Sequence, residues 1–231
     1  MSRKSKLVRF SEVETFENVL QCLDANSKVS RRHDGSLIET SGHWNADIFK
    51  NDHPIIVELA CGKGEYTINL AQVSTDKNFI GIDIKGNRIH RGAKKGLSLD
   101  LKNAMFLRMR IEWLTNHFAP GELSEIWISF PDPFLKQSKS NRRLTSPLFL
   151  DRYKFLLNAE GIVHLKTDSP QLFKFSLETV SAHPTASIIC QSVDIDADGL
   201  TKDTLAIQTY YEGMHRADGL PIKYLSWKYQ R

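Results

Sequence analysis

An α/β fold with a mostly parallel sheet, helices on both faces and an antiparallel C-terminal strand is what this 231-residue sequence predicts. Three observations predict it. Short apolar runs of strand length alternate with segments of helical period between residues 54 and 182, and such alternation makes right-handed βαβ units. The first apolar run passes directly into a glycine turn, Ala60-Cys-Gly-Lys-Gly64. After residue 185 the helical period gives way to further strand-like runs.

Taken in order, residues 11–23 open with Glu12 and Glu14 and carry Val13, Phe16, Val19, Leu20 and Leu23 at helical spacing, which predicts an N-terminal helix. Residues 26–53 are polar, contain Gly35 and Gly42 and hold no sustained period, so a long arm or lid is expected there. The expected division is thus an N-terminal arm with one helix over 1–53 and a single domain over 54–231. Residues 55–59 read as a buried strand and 65–73 as a helix, followed by a strand over 78–83 and a helix over 85–97. Strands over 104–109 and 124–130 follow, the second stopped by Pro131. Residues 146–157 open with Ser-Pro as N-cap and first helical residue. A strand over 161–166 and a helix over 170–182 precede three closing strands, at 186–193, 204–211 and 223–229.

Composition narrows the class. With 41% hydrophobic and 25% charged residues the chain can bury one substantial core. Its first residues lack an apolar signal region and no long uncharged apolar run follows, so a soluble, cytoplasmic protein is expected. Cys22, Cys61 and Cys190 are scattered without metal-ligand spacing, and no metal is expected. A net charge of +4 is mild, but its distribution is not: Lys85, Arg88, His90, Arg91, Lys94 and Lys95 form one acid-free cluster and Lys136, Lys139, Arg142 and Arg143 another. Either can be a solvated face; two together suggest a polyanionic partner.

Chemistry concentrates at the predicted strand ends. Gly62 and Gly64 let backbone pass close to a ligand lying across them, although a glycine turn can also serve packing alone. Glu58 places a carboxylate in this motif, which suits the cationic S-adenosylmethionine better than a pyrophosphate. Asp83 ends the second strand nineteen residues after Gly64, where an acid can accept from both ribose hydroxyls or cap the following helix. In Phe130-Pro-Asp-Pro-Phe134 the prolines stiffen the loop that presents Asp132. Asp168 ends the fifth strand, and Thr209-Tyr-Tyr-Glu212 adds hydroxyls, aromatics and an acid.

Together these residues resemble the tRNA (guanine-N7-)-methyltransferases of the bacterial TrmB type from about residue 54 to residue 228. The motifs that carry the resemblance are Glu58-Leu-Ala-Cys-Gly-Lys-Gly-Glu65, Phe130-Pro-Asp-Pro133, Arg142-Arg-Leu-Thr-Ser-Pro147, His164-Leu-Lys-Thr-Asp168 and Thr209-Tyr-Tyr-Glu212, in the family's order. The resemblance implies a Rossmann-like class I methyltransferase fold with a seven-stranded sheet. It implies methyl transfer from S-adenosylmethionine to N7 of guanine in tRNA, at position 46 of the variable loop, in a monomer or a homodimer. By the same resemblance Glu58, Gly62, Gly64, Asp83, Arg110, Ile111 and Asp132 line the cofactor, and Lys136, Asp168, Thr209, Tyr210, Tyr211 and Glu212 bind the guanosine. Asp132 is the expected catalytic residue. A carboxylate at Asp168 or Glu212 can accept from guanine N1–H and the exocyclic amine together, Tyr210 or Tyr211 can stack on the base, and Lys139, Arg142 and Arg143 can hold the RNA backbone.

Two positions depart from the family. Ala60 stands where another glycine is usual, and Arg110 where an Asp or Asn commonly sits beside the adenine. Adenine contacts then fall to backbone at Arg110 and Ile111, or to Glu112. Two other readings stay open: methylation of an exocyclic amine, because Asp-Pro-Phe approximates an Asp-Pro-Pro-aromatic turn, and an RNA-binding protein without catalysis. A nicotinamide-dependent dehydrogenase is more distant.

Overall fold

The computed structural model describes residues 5–201 and 203–230, without the side chains of Asp203 and Tyr211. Helix α1 (Lys6–Val13) is capped by the Ser5 hydroxyl, which accepts from the Val8 N–H. Three short strands follow, β1 (Val19–Gln21), β2 (Val29–Arg31) and β3 (Leu37–Glu39), and then a π-helical turn, Trp44–Phe49. The alternating part runs β4 (Ile55–Leu59), α2 (Glu65–Val73), β5 (Asn78–Ile82), α3 (Gly86–Ser98), β6 (Ala104–Arg108), α4 (Leu114–His117), β7 (Leu123–Ser129), α5 (Pro147–Leu156), β8 (Leu157–Thr167) and α6 (Pro170–Ala182). It closes with β9 (Ala186–Ser192), α7 (Tyr210–Ala217) and β10 (Lys223–Tyr229).

One ten-stranded sheet results, in the order β3-β2-β1-β6-β5-β4-β7-β8-β10-β9. The family resemblance implies seven strands, and seven of the eight read from the sequence are present; the other three come from residues 19–39, added at the β6 edge. β10 is antiparallel to both β8 and β9, as the expected finish requires. Strand faces alternate: Ile55, Val57 and Leu59 of β4 enter a core shared with α5 and α6, whereas Ile56 enters a second core with Tyr66, Ile68 and Leu70 of α2 and with Ile89 and Ala93 of α3. Both faces of the sheet are covered, and the near-continuous apolar runs of β4 and β5 follow from that. Among the described residues no helix is long and apolar enough to cross a membrane.

Three expectations are corrected. The helix predicted over 11–23 is α1, which stops at Val13, and the chain then turns so that β1 runs parallel to β6 with Val19 opposite Phe106. As a strand, Val19 and Leu20 reach the two opposite cores, which one helical stripe could not do. Residues 26–53 are no lid. Trp44 is fully buried, stacks on Phe118 at 5.3 Å and donates from Nε1 to the His117 carbonyl at 2.9 Å, pinning this segment to the core. The strand predicted over 204–211 is a 3-10 turn, Asp203–Ala206, followed by α7. Thr209 caps α7 by accepting from the Glu212 N–H at 3.2 Å, so Thr-Tyr-Tyr-Glu starts a helix through half of a capping box.

β4 is the topological switch: β5 and β6 lie on one side of it, β7 and β8 on the other. A crevice outside the carboxyl ends of these strands is the binding position in such sheets.

Candidate functional site

The turn leaving β4 contains three left-handed residues, Ala60, Gly62 and Gly64, at φ of 56°, 57° and 65°. Gly64 is the N-cap of α2, and a Cβ there would collide with the Phe106 ring, so only glycine fits. Asp83, one residue beyond β5, ties the turn to α3. Its Oδ2 accepts from the Gly62 N–H at 3.0 Å and its Oδ1 from the Lys85 N–H at 2.8 Å. Each oxygen keeps a further lone pair, so the carboxylate still offers acceptors to the cavity it borders. Both sequence readings of Asp83, helix anchor and ligand acceptor, are met by one side chain.

Glu58 is 4% exposed and is absent from the cavity wall. Its Oε2 accepts from the Thr67 N–H at 2.9 Å and the Thr67 hydroxyl at 2.5 Å, which caps the first turn of α2. Burial pushes its carboxyl up to about 8 against those two hydrogen bonds, with the nearby Asp83 charge adding to the rise. Glu58 therefore supports the turn from behind.

The cavity itself is about 290 Å³ and is bordered by Ala60, Asp83, Arg110, Ile111, Asp132 and Arg142 among others. Ile84, Met109, Ile111, Leu144 and Phe149 supply apolar wall. Arg110 is extended, at φ −78° and ψ 134°, and opens the 3-10 turn Ile111–Trp113. Its guanidinium lies 3.5 Å from Glu112, with both side chains about half exposed, a contact of little energetic weight.

The loop after β7 is strained at both ends: Phe130 and Phe134 flank Pro-Asp-Pro at φ of 50° and 40°. Non-glycine residues held there cost about 1–3 kcal/mol each and persist only where surrounding structure imposes them. Two contacts impose them here. The Phe130 N–H donates to the Lys166 carbonyl at 2.9 Å, and Arg143 donates to the Pro133 and Phe134 carbonyls at 3.1 and 3.0 Å. Asp132 is exposed and makes no hydrogen bond or ion pair with the described residues.

Arg143 differs from its neighbours in the basic loop. It is 5% exposed and lies 4.3 Å over the Phe175 ring, so its guanidinium is used inside the fold and is not offered to an RNA backbone. Lys136, Lys139 and Arg142 are exposed on and beside the 3-10 turn Gln137–Arg142, with Arg142 stacked 4.7 Å over Phe134. A buried arginine beside a proline loop carries no distinctive sequence signal, so spacing alone does not point to the clamp.

The C-terminal motif also divides. Glu212 is fully buried and bonded to Lys166 Nζ at 2.8 and 3.0 Å and to Arg216 at 3.0 Å, while Arg216 also pairs with Asp196. Burial pulls the Lys166 ammonium down and the Glu212 carboxylate opposes it. Lys166 donates as well to the Leu205 and Ile207 carbonyls at 3.3 and 3.2 Å, so the segment before α7 is held to β8 through one cation. Thr209 is spent on the α7 cap, Tyr210 is 56% exposed, and the Tyr211 side chain lies outside the described residues. Asp168 stays partly exposed, 3.7 Å from His215, whose ring faces Phe130 at 6.1 Å. His215 thus joins the rim from α7. It sits three residues after Glu212, a spacing that points to it only once the segment is known to be helical.

The family model described as "Putative methyltransferase" matches residues 52–224. A tRNA (guanine-N(7)-)-methyltransferase of Christiangramia forsetii is 44% identical over 228 residues, 99% of each chain. The protein of the same name from Porphyromonas gingivalis is 46% identical over 218 residues, 93% of this chain and 86% of its own length. The 16S rRNA methyltransferase KamB superposes with a TM-score of 0.61 at 12% identity, over 85% of this chain and 97% of that one, a likeness of fold.

Proposed function

The chain belongs to the tRNA (guanine-N(7)-)-methyltransferase family, and on that premise we propose that it methylates N7 of guanine in tRNA, at position 46 of the variable loop, with S-adenosylmethionine as donor. The observation that carries this reading is an unpartnered carboxylate, Asp132, on the wall of the same cavity as Asp83. The residues present fit the cofactor. Asp83 has acceptors left for two ribose hydroxyls, Ala60 brings only a methyl to the cavity wall, and Ile84, Met109 and Ile111 offer an apolar bed for adenine. The backbone of Arg110 and Ile111 replaces the side-chain contact that an Asp or Asn would make.

S-adenosylmethionine supplies a methyl group on a cationic sulfur: the guanine N7 lone pair forms the new N–C bond as the S–C bond breaks and its electron pair stays on sulfur. N7 carries no proton, so none of the acids here has to act as a general base. Asp132, fixed by the strained loop and the Arg143 clamp, offers negative charge where the purine becomes positive, and a preorganised charge of this kind stabilises a transition state without reorganisation. Asp168 reads the guanine N1–H and amine edge, while Lys136, Lys139 and Arg142 hold backbone phosphates. Glu212 acts through Lys166, by keeping α7 and His215 at the rim.

Incubation with methyl-labelled cofactor and unmodified tRNA, followed by nucleoside analysis, tests this reading. The label is expected in N7-methylguanosine; label in N6-methyladenosine, or none at all, sinks it.

A further inference from the structure

The basic cluster on α3 reaches the cavity above only through Lys85 and Arg88; the rest of it borders a separate, positively charged groove. That groove, about 680 Å³, is lined by Arg9, Lys63, Arg88, Arg91, Lys94 and Lys95 and by no carboxylate. The cations sit on a rigid surface. Ile89 and Ala93 are fully buried beneath them, α1 is pinned to α3 by Glu12, 2.6 Å from His90, and the turn after α1 packs there through Phe16, whose ring lies 5.4 Å from the His90 ring. Arg9, Arg88, Lys94 and Lys95 make no ion pair with the described residues, and Arg91 meets Glu65 only at 3.8 Å with two-thirds of its side chain exposed. Three exposed cations and the half-buried Arg9, none of them in an ion pair with the described residues, repel one another on one packed helix and its neighbour; a bound polyanion relieves that repulsion.

The position of the groove says which polyanion. Arg88 belongs both to this groove and to the wall of the cavity that holds Asp83 and Asp132. In the other direction Lys63, Arg91 and Lys95 also line a smaller cleft of about 290 Å³ that ends at Tyr210. There the exposed Tyr210 ring lies 4.2 Å from Lys63 Nζ, and its N–H donates to Glu65 at 2.7 Å. Cations leading to an exposed aromatic ring are the arrangement that holds a nucleic-acid backbone and stacks an unpaired base. Arg142 and Phe134 border the cavity on its opposite, β7 side.

We propose that the α1–α3 groove is a second RNA track, so that the tRNA backbone straddles the cofactor cavity and is held by Lys136, Lys139 and Arg142 on one side and by Arg9, Arg91, Lys94 and Lys95 on the other. Arg88, between them, faces both. Arg91 to Lys95 spans about 6 Å along the helix and Arg88 to Lys95 about 10 Å, so neighbouring phosphates of one strand can be met in turn. The inference rests on the tRNA reading above and adds where the rest of the substrate lies.

The test is the triple variant Arg91→Gln, Lys94→Gln, Lys95→Gln, all exposed positions outside the cofactor cavity. tRNA binding is titrated at several salt concentrations beside wild type and a Lys136→Gln, Lys139→Gln, Arg142→Gln variant, and cofactor binding is followed by calorimetry. Each lost phosphate contact should flatten the log-affinity against log-salt slope by roughly 0.7–0.9, so the triple variant loses about 2–3 in slope and at least about tenfold in affinity at low salt, with cofactor affinity kept. Wild-type tRNA affinity and slope in the α3 variant overturn the proposal, and so does a variant whose only lost ligand is anionic lipid vesicles. Failure of the functional reading shows separately, as wild-type protein that binds tRNA but forms no N7-methylguanosine.

Discussion

Acids at the carboxyl ends of the same sheet fall into two kinds. On the β4–β5 side Glu58 and Asp83 are buried and spend oxygens on backbone N–H groups, so they hold the turn and the helix starts in place. On the β7–β8 side Asp132 is exposed on a strained loop and Asp168 stays partly open beside His215. The first pair is spent on holding the turn; under the proposed function the second is the pair left to act on what binds there. Glu212 shows that motif membership does not decide which kind an acid is, because its carboxylate is sealed in with Lys166 and Arg216.

The comparison breaks first at Asp132. Replacing it by Asn keeps shape and removes charge, and loss of one preorganised electrostatic group of this sort costs about 10²–10³ in turnover, roughly 3–4 kcal/mol. Single-turnover methylation of tRNA should show that loss while calorimetric cofactor affinity changes little. Near wild-type turnover from Asp132→Asn would mean that the open acid is not the one that works.

Glu58 sharpens the other half through pH. Its folded carboxyl is pushed up from 4.5 to about 8, so the folded state holds the proton more tightly than the unfolded chain. Stability from this group is fully present below pH 4.5 and is lost as pH rises through about 8, by up to a few kcal/mol. The buried His117 and His164 rings, held down to about 4 from 6.5, do the reverse and withdraw stability as pH falls through that range. Denaturant unfolding from pH 5 to pH 9 should therefore show an alkaline decline that Glu58→Gln flattens, leaving the acid limb alone. An unchanged alkaline limb in the variant would show that Glu58 ionises freely and is not locked.

How much of this could be read from residues alone follows from where the determining contacts lie. β4, α2, α5, α6 and β10 are set by local pattern, an apolar run, a Ser-Pro start or an alternation, and each was expected within a residue or so of where it stands. β1 and α7 were not, because their state is set by distant partners: Val19 and Leu20 pair along β6, and Glu212 is drawn in by Lys166. At the site the same rule holds. Asp83 and Asp132 lie just past strand ends, a placement the sequence does show, whereas the inward turn of Arg143 onto Pro133 and Phe134 depends on a loop geometry no spacing encodes.

The smallest expected effect lies in the turn after β4. Ala60 holds φ at 56°, where an L-side chain costs about 1–2 kcal/mol, in a turn whose other left-handed residues are glycines. Ala60→Gly relieves that cost but gives the unfolded chain more freedom to lose, about 0.4–1 kcal/mol. The balance predicts a gain of roughly 0.5–1 kcal/mol by denaturant unfolding. Opposing it, the Ala60 methyl packs partly against the core on the α5 side and lies on the cavity wall. A loss of stability in Ala60→Gly would show that this packing outweighs the strain. The turn would then resemble the Phe130 and Phe134 loop, where unfavourable backbone is kept because of what its side chains touch.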